Sequence, residues 1–538
     1  MSGRNRRPMP QALIALVAAV LLAACGSGGG TSGSVPKDGG TNAAAAATGA
    51  PAGSSAATGA PVPTDTCPPG WRCGPCPPEV PAGWQCGQFP VPLVDGGTET
   101  IDLEVRRRPA SITPSLGPLF INLGGPGDPS ADSAVPIVAA LPPDVRDRFD
   151  VVLMDPRATL HSSATACPNA KPGIEGAYYS LPDPNDAAAV QAFMDRMAAA
   201  NGACLAELGT DPAPYGTWSA AADMDAIRAS LGSERISYLG YSYGTRLGAV
   251  YAMRYGDRVR AMVLDSAVNP SGGLAEFGAG KARAVDTIVR RWAQQCDAQA
   301  ACAPVAAGGA LATVAAATAA LPLTDAGSGL SWTRGDFEQF LDAGVSGLDP
   351  AKWTALGPAL AAFAAGDTGP FYTLVSGQQP PGAGNGAGAA PRPAGTPGDI
   401  QDALVTVNCA DLADRPDAAA VSSIVTAARA AGLQAADARS YLAATCVGWP
   451  LGSRPITDIS ATPAARVVVV TSLGDQLVAA DWGPAMAKAV GGVTVNYGGI
   501  GHGVSYLRGS ACIDALVSAY LLDPSAKVPA DATGCDGA

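Results

Sequence analysis

Histidine is scarce in this chain: its 538 residues include only two, and charged residues make up just 15% of the total. His161 and His502 lie far apart in the sequence, so there is no histidine-rich metal spacing. A Walker motif and a dinucleotide fingerprint are also missing. We therefore expect no metal and no cofactor. The formal net charge of −12 argues against a nucleic acid partner, because phosphate backbones are bound through clustered cations.

A strand-like apolar run ends in Gly240-Tyr-Ser242-Tyr-Gly244 and is followed at once by helix-forming residues. This placement is typical of the sharp turn that exposes a nucleophilic serine in α/β-hydrolases. A Cβ at Gly240 or Gly244 would collide with the neighbouring strand or helix. The pattern alone is a weak signal among 66 glycines, and its position between a strand and a helix strengthens it.

Such a serine needs an acid and then a histidine later in the chain. Asp475 follows a continuous β-branched run that starts after Arg466, and His502 lies in a glycine-rich loop after another short apolar run. We predict a catalytic triad of Ser242, Asp475 and His502. In this triad His502 accepts the serine proton, and Asp475 orients and stabilises the imidazole. The alternative is that Asp475 and His502 are ordinary loop residues.

Two backbone amides are candidates for an oxyanion hole. One belongs to Tyr243, the residue after the nucleophile. The second should come from a loop after an early strand, and the apolar run from Leu119 ends in Gly124-Gly125-Pro-Gly127. We expect Gly125 to supply this amide, because glycines let the backbone approach a ligand closely. Without the predicted triad, a simple Gly-Pro turn would be the preferred interpretation.

These motifs, together with Asp155-Pro-Arg157 after a further strand, resemble the proline-iminopeptidase and tripeptidyl-aminopeptidase branch of the α/β-hydrolases. The chain is similar above all to secreted actinobacterial tripeptidyl aminopeptidases and mycobacterial cell-envelope serine proteases, over most of its length except the middle. The resemblance implies an α/β fold with a mostly parallel central sheet, helices on both faces and an inserted helical cap. It also implies cap carboxylates that bind a substrate ammonium. The candidates for that role are Glu276, Asp336, Glu338 and Asp411.

Three segments depart from the family pattern. Ala158 and Leu160 replace the two glycines of Asp-x-Arg-Gly-x-Gly-x-Ser, and His161 beside them either touches substrate or is merely solvated. Asp128 follows the oxyanion loop where the family continues Gly-x-Ser-Gly. Its carboxylate would oppose an oxyanion if it pointed inward, or it could bind a substrate ammonium. Gln476 follows the acid where the family favours proline.

Composition divides the chain into five parts. We expect a lipoprotein signal peptide at 1–25, a disordered Gly/Ala/Ser/Pro tether at 26–66, the first part of the hydrolase core at 67–270, a helical cap insertion at 271–455 with a Gly/Pro-rich loop at 377–398, and the C-terminal part of the core at 456–538.

The N-terminal segment predicts export. Three arginines precede an apolar run from Ala12 to Ala24, which is short for a membrane span. The ending Leu22-Ala-Ala-Cys25 resembles a bacterial lipobox, which implies a diacylglycerol on Cys25. We therefore expect an extracytoplasmic protein that is lipid-anchored to the cell membrane or secreted.

Twelve of the thirteen cysteines remain if Cys25 is lipidated, an even number that suits disulfides in an exported protein. The family resemblance implies a bond between Cys512 and Cys535. Proximity in the sequence suggests Cys167–Cys204, Cys296–Cys302 and Cys409–Cys446. The pairing of Cys67, Cys73, Cys76 and Cys86 stays open. We favour structural disulfides there over a redox pair or a zinc knuckle.

The sequence thus predicts an exported, lipid-anchored serine hydrolase. We expect a tripeptidyl-aminopeptidase-like exopeptidase that cleaves peptides with a free N-terminus through an acyl-enzyme. One alternative is a carboxylesterase or lipase that acts on envelope lipids with the same triad. The other is a non-catalytic binding lipoprotein, for which the altered loops at Asp128 and Leu160 leave room.

Overall fold

The computed structural model describes residues 67–165, 167, 181–209, 211–347, 350–378, 400–452, 454–529 and 532–535. The expected signal peptide at 1–25, its lipidated Cys25, the tether at 26–66 and most of the loop at 377–398 lie outside the described residues. None of the described helices combines the length and the apolar composition that crossing a bilayer requires.

The described strands form one ten-stranded sheet in the order β1-β2-β3-β5-β4-β6-β7-β10-β11-β12, and a separate hairpin of β8 and β9. The strands are β1 (Arg72–Gly74), β2 (Gln85–Pro92), β3 (Thr100–Arg108), β4 (Pro118–Asn122), β5 (Asp150–Met154), β6 (Ile236–Tyr241), β7 (Val259–Asp265), β8 (Leu323–Thr324), β9 (Ser331–Trp332), β10 (Val467–Gly474), β11 (Val493–Ile500) and β12 (Ala532–Cys535). From β5 to β12 every neighbouring pair in the large sheet is parallel, whereas β1, β2 and β3 join it in antiparallel pairs.

Sixteen α-helices lie within the described residues. They are α1 (Ser130–Ser133), α2 (Val135–Ala140), α3 (Pro143–Arg146), α4 (Ala187–Leu208), α5 (Thr217–Ser230), α6 (Tyr243–Tyr255), α7 (Leu274–Asp297), α8 (Ala310–Ala319), α9 (Arg334–Gly347), α10 (Leu356–Ala364), α11 (Gly369–Ser376), α12 (Ile400–Asp411), α13 (Ala418–Ala430), α14 (Ala436–Ser440), α15 (Trp482–Ala489) and α16 (Ala511–Leu522). Short 3₁₀ turns lie at Ala213–Tyr215, Gly256–Arg258, Ala300–Cys302, Pro350–Ala355 and Tyr441–Ala444.

Both faces of the central sheet are buried under helices. In β10, Val467 and Val469 pack into one core with residues of α5, α6 and α15. Val468 and Val470 pack into a second core with residues of α2, α3 and α16. Successive side chains of a strand point to opposite faces, so a strand covered on both faces reads as an unbroken apolar run. The predicted α/β-hydrolase fold is confirmed.

Between β7 and β10 the described residues are mainly helical and include the β8–β9 hairpin, a composition that fits a helical cap. Its helices α7 to α11 enclose an aromatic core in which the ring centroid of Trp332 lies 4.9 Å from that of Phe340 and 5.0 Å from that of Phe363. Helix α4, which the sequence assigned to the core, also packs on this insertion. Its Phe193 ring lies 5.0 Å from that of Tyr441, and its Asn201 amide donates to the carbonyl of Thr445 at 2.9 Å. An alanine-rich helix gives no sequence signal of which layer it joins.

Six disulfides lie within the described residues: Cys67–Cys73, Cys76–Cys86, Cys167–Cys204, Cys296–Cys302, Cys409–Cys446 and Cys512–Cys535. The two cysteines of Cys73-Gly-Pro-Cys76 each pair with a different residue, so this segment is not a Cys-x-x-Cys redox disulfide. Bonds of this number are typical of proteins that fold in an oxidising compartment outside the cytoplasm.

Candidate active site

Ser242 occupies a sharp turn between β6 and α6. Its backbone has φ 55° and ψ −125°, a region that L-residues enter only when the surrounding structure holds them there. A Cβ on Gly240 would lie 2.5 Å from the carbonyl oxygen of Gly244, and one on Gly244 would lie 2.7 Å from that of Asn122. Glycine at these two positions therefore lets strand, turn and helix pack closely, and the turn presents Ser242 at the carboxyl edge of the sheet.

His502 and Asp475 lie together at the same edge, after β11 and β10. The His502 Nδ1 atom is 2.9 Å from each Asp475 carboxylate oxygen, and both side chains are buried. Asp475 Oδ1 also accepts the amides of Leu477 at 2.8 Å and Val478 at 3.0 Å. Burial raises the pKa of Asp475, but the His502 charge and these hydrogen bonds outweigh it and hold the pKa below its ordinary value. Asp475 is therefore ionised at neutral pH.

The turn that carries His502 is bonded to the strand that carries Ser242. The hydroxyl of Tyr241, the residue before the serine, donates to the carbonyl of Ser505 at 2.6 Å. A Cβ on Gly503 would lie 3.3 Å from the Tyr241 ring. The turn from Gly240 to Gly244, here called the elbow, and the turn from His502 to Ser505, here called the histidine turn, are therefore direct neighbours. In the sequence 260 positions separate Ser242 from His502.

The glycine loop after β4 lies against this elbow. A Cβ on Gly124 would meet the carbonyl oxygen of Tyr241 at 2.6 Å and Cβ of Ser242 at 2.9 Å. The amide of Gly124 donates to Oδ1 of Asn122 at 3.1 Å. In the described part of the chain, neither the Gly125 amide nor the Tyr243 amide takes part in a backbone hydrogen bond of the turns and loops. These are the two amides that the sequence proposed for an oxyanion.

Asp128 is buried at the end of this loop, with 4% of its surface exposed. Burial raises the pKa of its carboxyl to about 6, against a smaller opposing effect of a hydrogen bond with Ser133. Among the described residues its Oδ1 atom has no hydrogen-bond partner. The group is therefore held in its acid form more readily than an ordinary aspartate.

A second departure from the family pattern, the segment from Ala158 to His161, contacts α1. Ala158 keeps a left-handed backbone at φ 73°, a conformation that glycine adopts more easily. His161 Nε2 lies 3.2 Å from Asp132 Oδ2, so the imidazole bonds to a carboxylate of α1. Arg157 pairs with the buried Asp223 at 2.7 Å, which gives the Asp155-Pro-Arg157 segment a structural role.

Three of the four candidate cap carboxylates are committed to internal contacts. Asp336 accepts the amide and the hydroxyl of Thr333 at the start of α9. Glu338 is buried and accepts from Arg334 and from the amides of Asp437 and Ala438. Both therefore serve the packing of the cap.

The third, Asp411, is completely buried. It accepts the amide of Thr217 at 2.7 Å and the hydroxyl of Thr217 at 2.6 Å, and it lies 3.5 Å from Arg246. The Thr217 hydroxyl in turn lies 2.6 Å from that of Tyr243. Asp411 is thus linked through Thr217 to Tyr243, the residue after the nucleophile.

Glu276, on α7, differs from these three because 36% of its side chain is exposed. Its carboxylate accepts the indole N–H of Trp482 at 2.9 Å and pairs with Arg283. Trp482 packs with Val478, whose amide bonds to Asp475. Glu276 is thus linked to the acid of the candidate triad through Trp482 and Val478.

Helix α7 has a second contact with the core, at its far end. Arg291 donates to the carbonyl of Gly498 at 2.7 Å and to that of Gly499 at 3.2 Å. These glycines lie near the end of β11, the strand that leads to His502. Among the described residues, no three histidine, cysteine, aspartate or glutamate side chains group closely enough to hold a metal ion.

A serine at a strand–helix turn, followed in chain order by an acid and a histidine after later strands, is the arrangement of the α/β-hydrolase class. Residues 117–295 match the family model for the alpha/beta hydrolase fold, and residues 433–535 match the model for TAP-like proteins. The chain belongs to the α/β-hydrolase family, in the branch of the proline iminopeptidases and tripeptidyl aminopeptidases, and is a serine hydrolase.

Three relatives illustrate the range of this branch. A Mycobacterium tuberculosis protein named Carboxylesterase B is 30% identical over 452 residues, which are 80% of this chain and 81% of that protein. Another from the same species, named Serine protease Hip1, is 28% identical over 433 residues, or 76% of this chain and 79% of that protein. A Streptomyces coelicolor protein named Tripeptidyl aminopeptidase is 36% identical over 157 residues, 29% of each chain.

Sequence reasoning missed one residue at the site. Asp265 ends β7 and lies buried between the elbow and the histidine turn. Its position at the end of an apolar strand, in Leu264-Asp-Ser266, was a signal of the same kind as the one that identified Asp475.

Proposed function

We propose that this protein is an extracytoplasmic serine exopeptidase that releases short pieces from the N-termini of peptides, with Ser242, Asp475 and His502 as its catalytic triad. The observation that carries the proposal is the buried His502–Asp475 pair at 2.9 Å, on a turn bonded to the strand of the Ser242 elbow. The curated relatives named as a serine protease and a tripeptidyl aminopeptidase support a peptide substrate.

The roles follow from the chemistry of these groups. The Asp475 carboxylate holds the proton of His502 on Nδ1, so Nε2 is the basic nitrogen that accepts the Ser242 proton. The serine oxygen then attacks the scissile carbonyl, and the amides of Tyr243 and Gly125 donate to the oxyanion. His502 returns the proton to the leaving amine, which leaves an acyl-enzyme. A water molecule activated by His502 hydrolyses this ester.

We assign recognition of the substrate ammonium to Glu276. Of the four candidate carboxylates, it alone has a partly exposed side chain, and it is linked to Asp475 through Trp482 and Val478. The indole of Trp482 and the guanidinium of Arg283 both contact Oε1 of Glu276, which orients the carboxylate, and we assign Oε2 to the substrate ammonium. We further propose that residues 271–455 form the cap and that α4 packs as part of it.

Labelling with a fluorophosphonate tests the nucleophile. The wild-type protein should react covalently, and Ser242→Ala should not. Ser237→Ala is the matched control, since Ser237 is a buried serine of the same strand that contacts Arg260, and it should label normally. A folded wild-type protein that does not react would favour a binding lipoprotein over an enzyme.

Substrate pairs test the role of Glu276. Glu276→Gln should raise KM for a free-amine tripeptidyl p-nitroanilide by about 10-fold or more, because a charge-assisted contact is lost, and should spare the N-acetylated analogue. Asp481→Asn is the control, because Asp481 lies 3.2 Å from the same Arg283 guanidinium but is 66% exposed. Equal effects on both substrates would remove Glu276 from this role.

A carboxylesterase is the second candidate, favoured by the relative of that name that matches 80% of this chain. Turnover of p-nitrophenyl esters without turnover of tripeptidyl anilides would select it.

For the anchor, we propose that Cys25 carries a diacylglycerol. Metabolic labelling with an alkyne fatty acid should mark the wild-type protein in its membrane fraction and should not mark Cys25→Ser.

A further inference from the structure

Asp265 touches both halves of the candidate catalytic machinery. Its backbone carbonyl accepts the amide of Ser242 at 3.0 Å. Its carboxylate accepts two successive amides of the histidine turn, Val504 at 3.0 Å on Oδ1 and Ser505 at 2.7 Å on Oδ2. One completely buried residue thus holds the nucleophile from one side and the base from the other.

Ser266 extends these contacts to the strand of the acid. Its amide donates to the carbonyl of Val470 on β10, at 2.9 Å, and β10 leads directly to Asp475. Its hydroxyl oxygen accepts the amide of Gly503 at 2.9 Å and lies 3.3 Å from Oδ1 of Asp265. The Asp265–Ser266 dipeptide is therefore bonded to all three segments that carry Ser242, Asp475 and His502.

We propose that Asp265 is a positioning residue that fixes the imidazole of His502 relative to the hydroxyl of Ser242. This inference rests on the proposed catalytic roles of those two residues. Three consecutive amides of the turn, from Gly503 to Ser505, are fixed by Ser266 and Asp265. The carbonyls of His502 and Gly503 accept from Arg508 at 2.8 and 3.1 Å. With its amides and carbonyls both fixed, the turn has little freedom to rotate the imidazole.

A carboxylate suits this position better than a neutral side chain. Two amide donors need an acceptor on each branch of the side chain, and asparagine would offer one acceptor and one opposing N–H group. Burial raises the pKa of Asp265 above its ordinary value, and the hydrogen bonds of the turn and the charge of His502 offset part of that rise. Because charge coupling is reciprocal, an ionised Asp265 also favours the imidazolium that forms during catalysis.

Several other titratable or charged groups surround this turn and contribute to the pH dependence of His502. They are Asp475 beside His502, Arg508 on the turn, Tyr241 whose hydroxyl bonds to Ser505, and the bonded pair Tyr506 and Asp514. In a test of Asp265 all of them are unchanged.

The test compares Asp265→Asn with the wild-type protein, using a tripeptidyl p-nitroanilide, a p-nitrophenyl ester and fluorophosphonate labelling. We expect kcat and the labelling rate to fall together by about 10- to 100-fold with KM nearly unchanged, since a misplaced base slows the attack without weakening binding. The acidic limb of the pH profile of kcat/KM should also move to lower pH, because a negative charge near the imidazole is lost. A purely structural role would not move that limb.

Asp325→Asn is the matched control. Asp325 is a buried cap carboxylate that likewise accepts backbone amides, from Gly327, Ser328 and Thr368. The Asp325→Asn variant should be less stable than the wild type and should keep the wild-type kcat and pH profile. If Asp265→Asn does not fold, Ser266→Ala removes the contacts of the Ser266 hydroxyl with the Gly503 amide and with Asp265 Oδ1 and leaves the Asp265 carboxylate in place, and its kcat should fall by about 3- to 10-fold.

The outcomes separate the two proposals. Wild-type labelling with an unchanged kcat and acidic limb in a folded Asp265→Asn, or an unchanged kcat in Ser266→Ala, would overturn the positioning role and leave the triad in place. A wild-type protein that neither labels nor turns over substrate would overturn the triad, and the positioning role with it.

Discussion

Replacing Asp128 by asparagine should stabilise the protein at neutral pH and have a much smaller effect in acid. The carboxyl has a pKa of about 6 in the folded chain against the ordinary 3.8, because it is buried. A raised folded pKa means that the folded state holds the proton more tightly than the unfolded state does. Stability from this group is therefore present at low pH and is lost as the pH rises through about 6.

The magnitude follows from the two pKa values. A difference of 6 − 3.8 units corresponds to about 3 kcal/mol between the fully protonated and fully ionised limits, of which about 2 kcal/mol is lost between pH 4.5 and pH 7.5. Asparagine has nearly the same shape and carries no charge, so Asp128→Asn should be spared this loss.

Urea unfolding of both proteins between pH 4.5 and 7.5, at constant ionic strength and with the disulfides oxidised, measures the effect. The difference in free energy of unfolding between variant and wild type should widen by about 2 kcal/mol over that range. A constant difference across the range would show that Asp128 titrates normally, and the reasoning from its burial would be wrong.

Three further substitutions probe the site and the scaffold. Asp475→Asn should lower kcat by about 1,000-fold or more with little change in KM, measured on a tripeptidyl anilide, because the imidazole loses its orienting carboxylate; a loss below about 10-fold would contradict the role. Gly124→Ala should lower kcat by about 100-fold, since its Cβ would lie 2.6 Å from the Tyr241 carbonyl oxygen at φ 108° and push the glycine loop off the elbow. Normal kinetics in that variant would refute the close approach. Removing the Cys409–Cys446 bond with two serines should cost about 4 kcal/mol in urea unfolding, because the bond closes a loop of 37 residues, and a cost below about 1 kcal/mol would contradict this.

The fold class was predictable because its signals are local. The run at Val467–Val470 is apolar at every position, which a strand covered on both faces requires. The Ser242 elbow combines a strand, two glycines and a helix within about 20 residues. Asp475 and His502 followed from chain order once the serine was placed, since only two histidines exist to choose from.

What the sequence left open depends on partners that are distant in the chain. The sequence around Asp411 does not show that the Thr217 hydroxyl bonds to its carboxylate. Likewise, the sequence around Glu276 does not show that its carboxylate accepts the Trp482 indole N–H. Asp265 was passed over for the same reason, because its amide partners lie about 240 positions away. Four neighbouring cysteines allow three pairings, and the folded structure joins Cys67 to Cys73 and Cys76 to Cys86.

The double attachment of α7 has a practical consequence for chimeras. One end of this helix meets the tryptophan after the acid, through Glu276, and the other end meets the glycines before the histidine, through Arg291. Its 24 residues thus connect the segments that carry Asp475 and His502, although we assign them to the proposed cap. A chimera that exchanges the cap with that of a relative should therefore be joined after Asp297. The recipient then keeps its own α7 and receives only the cap residues that follow this helix.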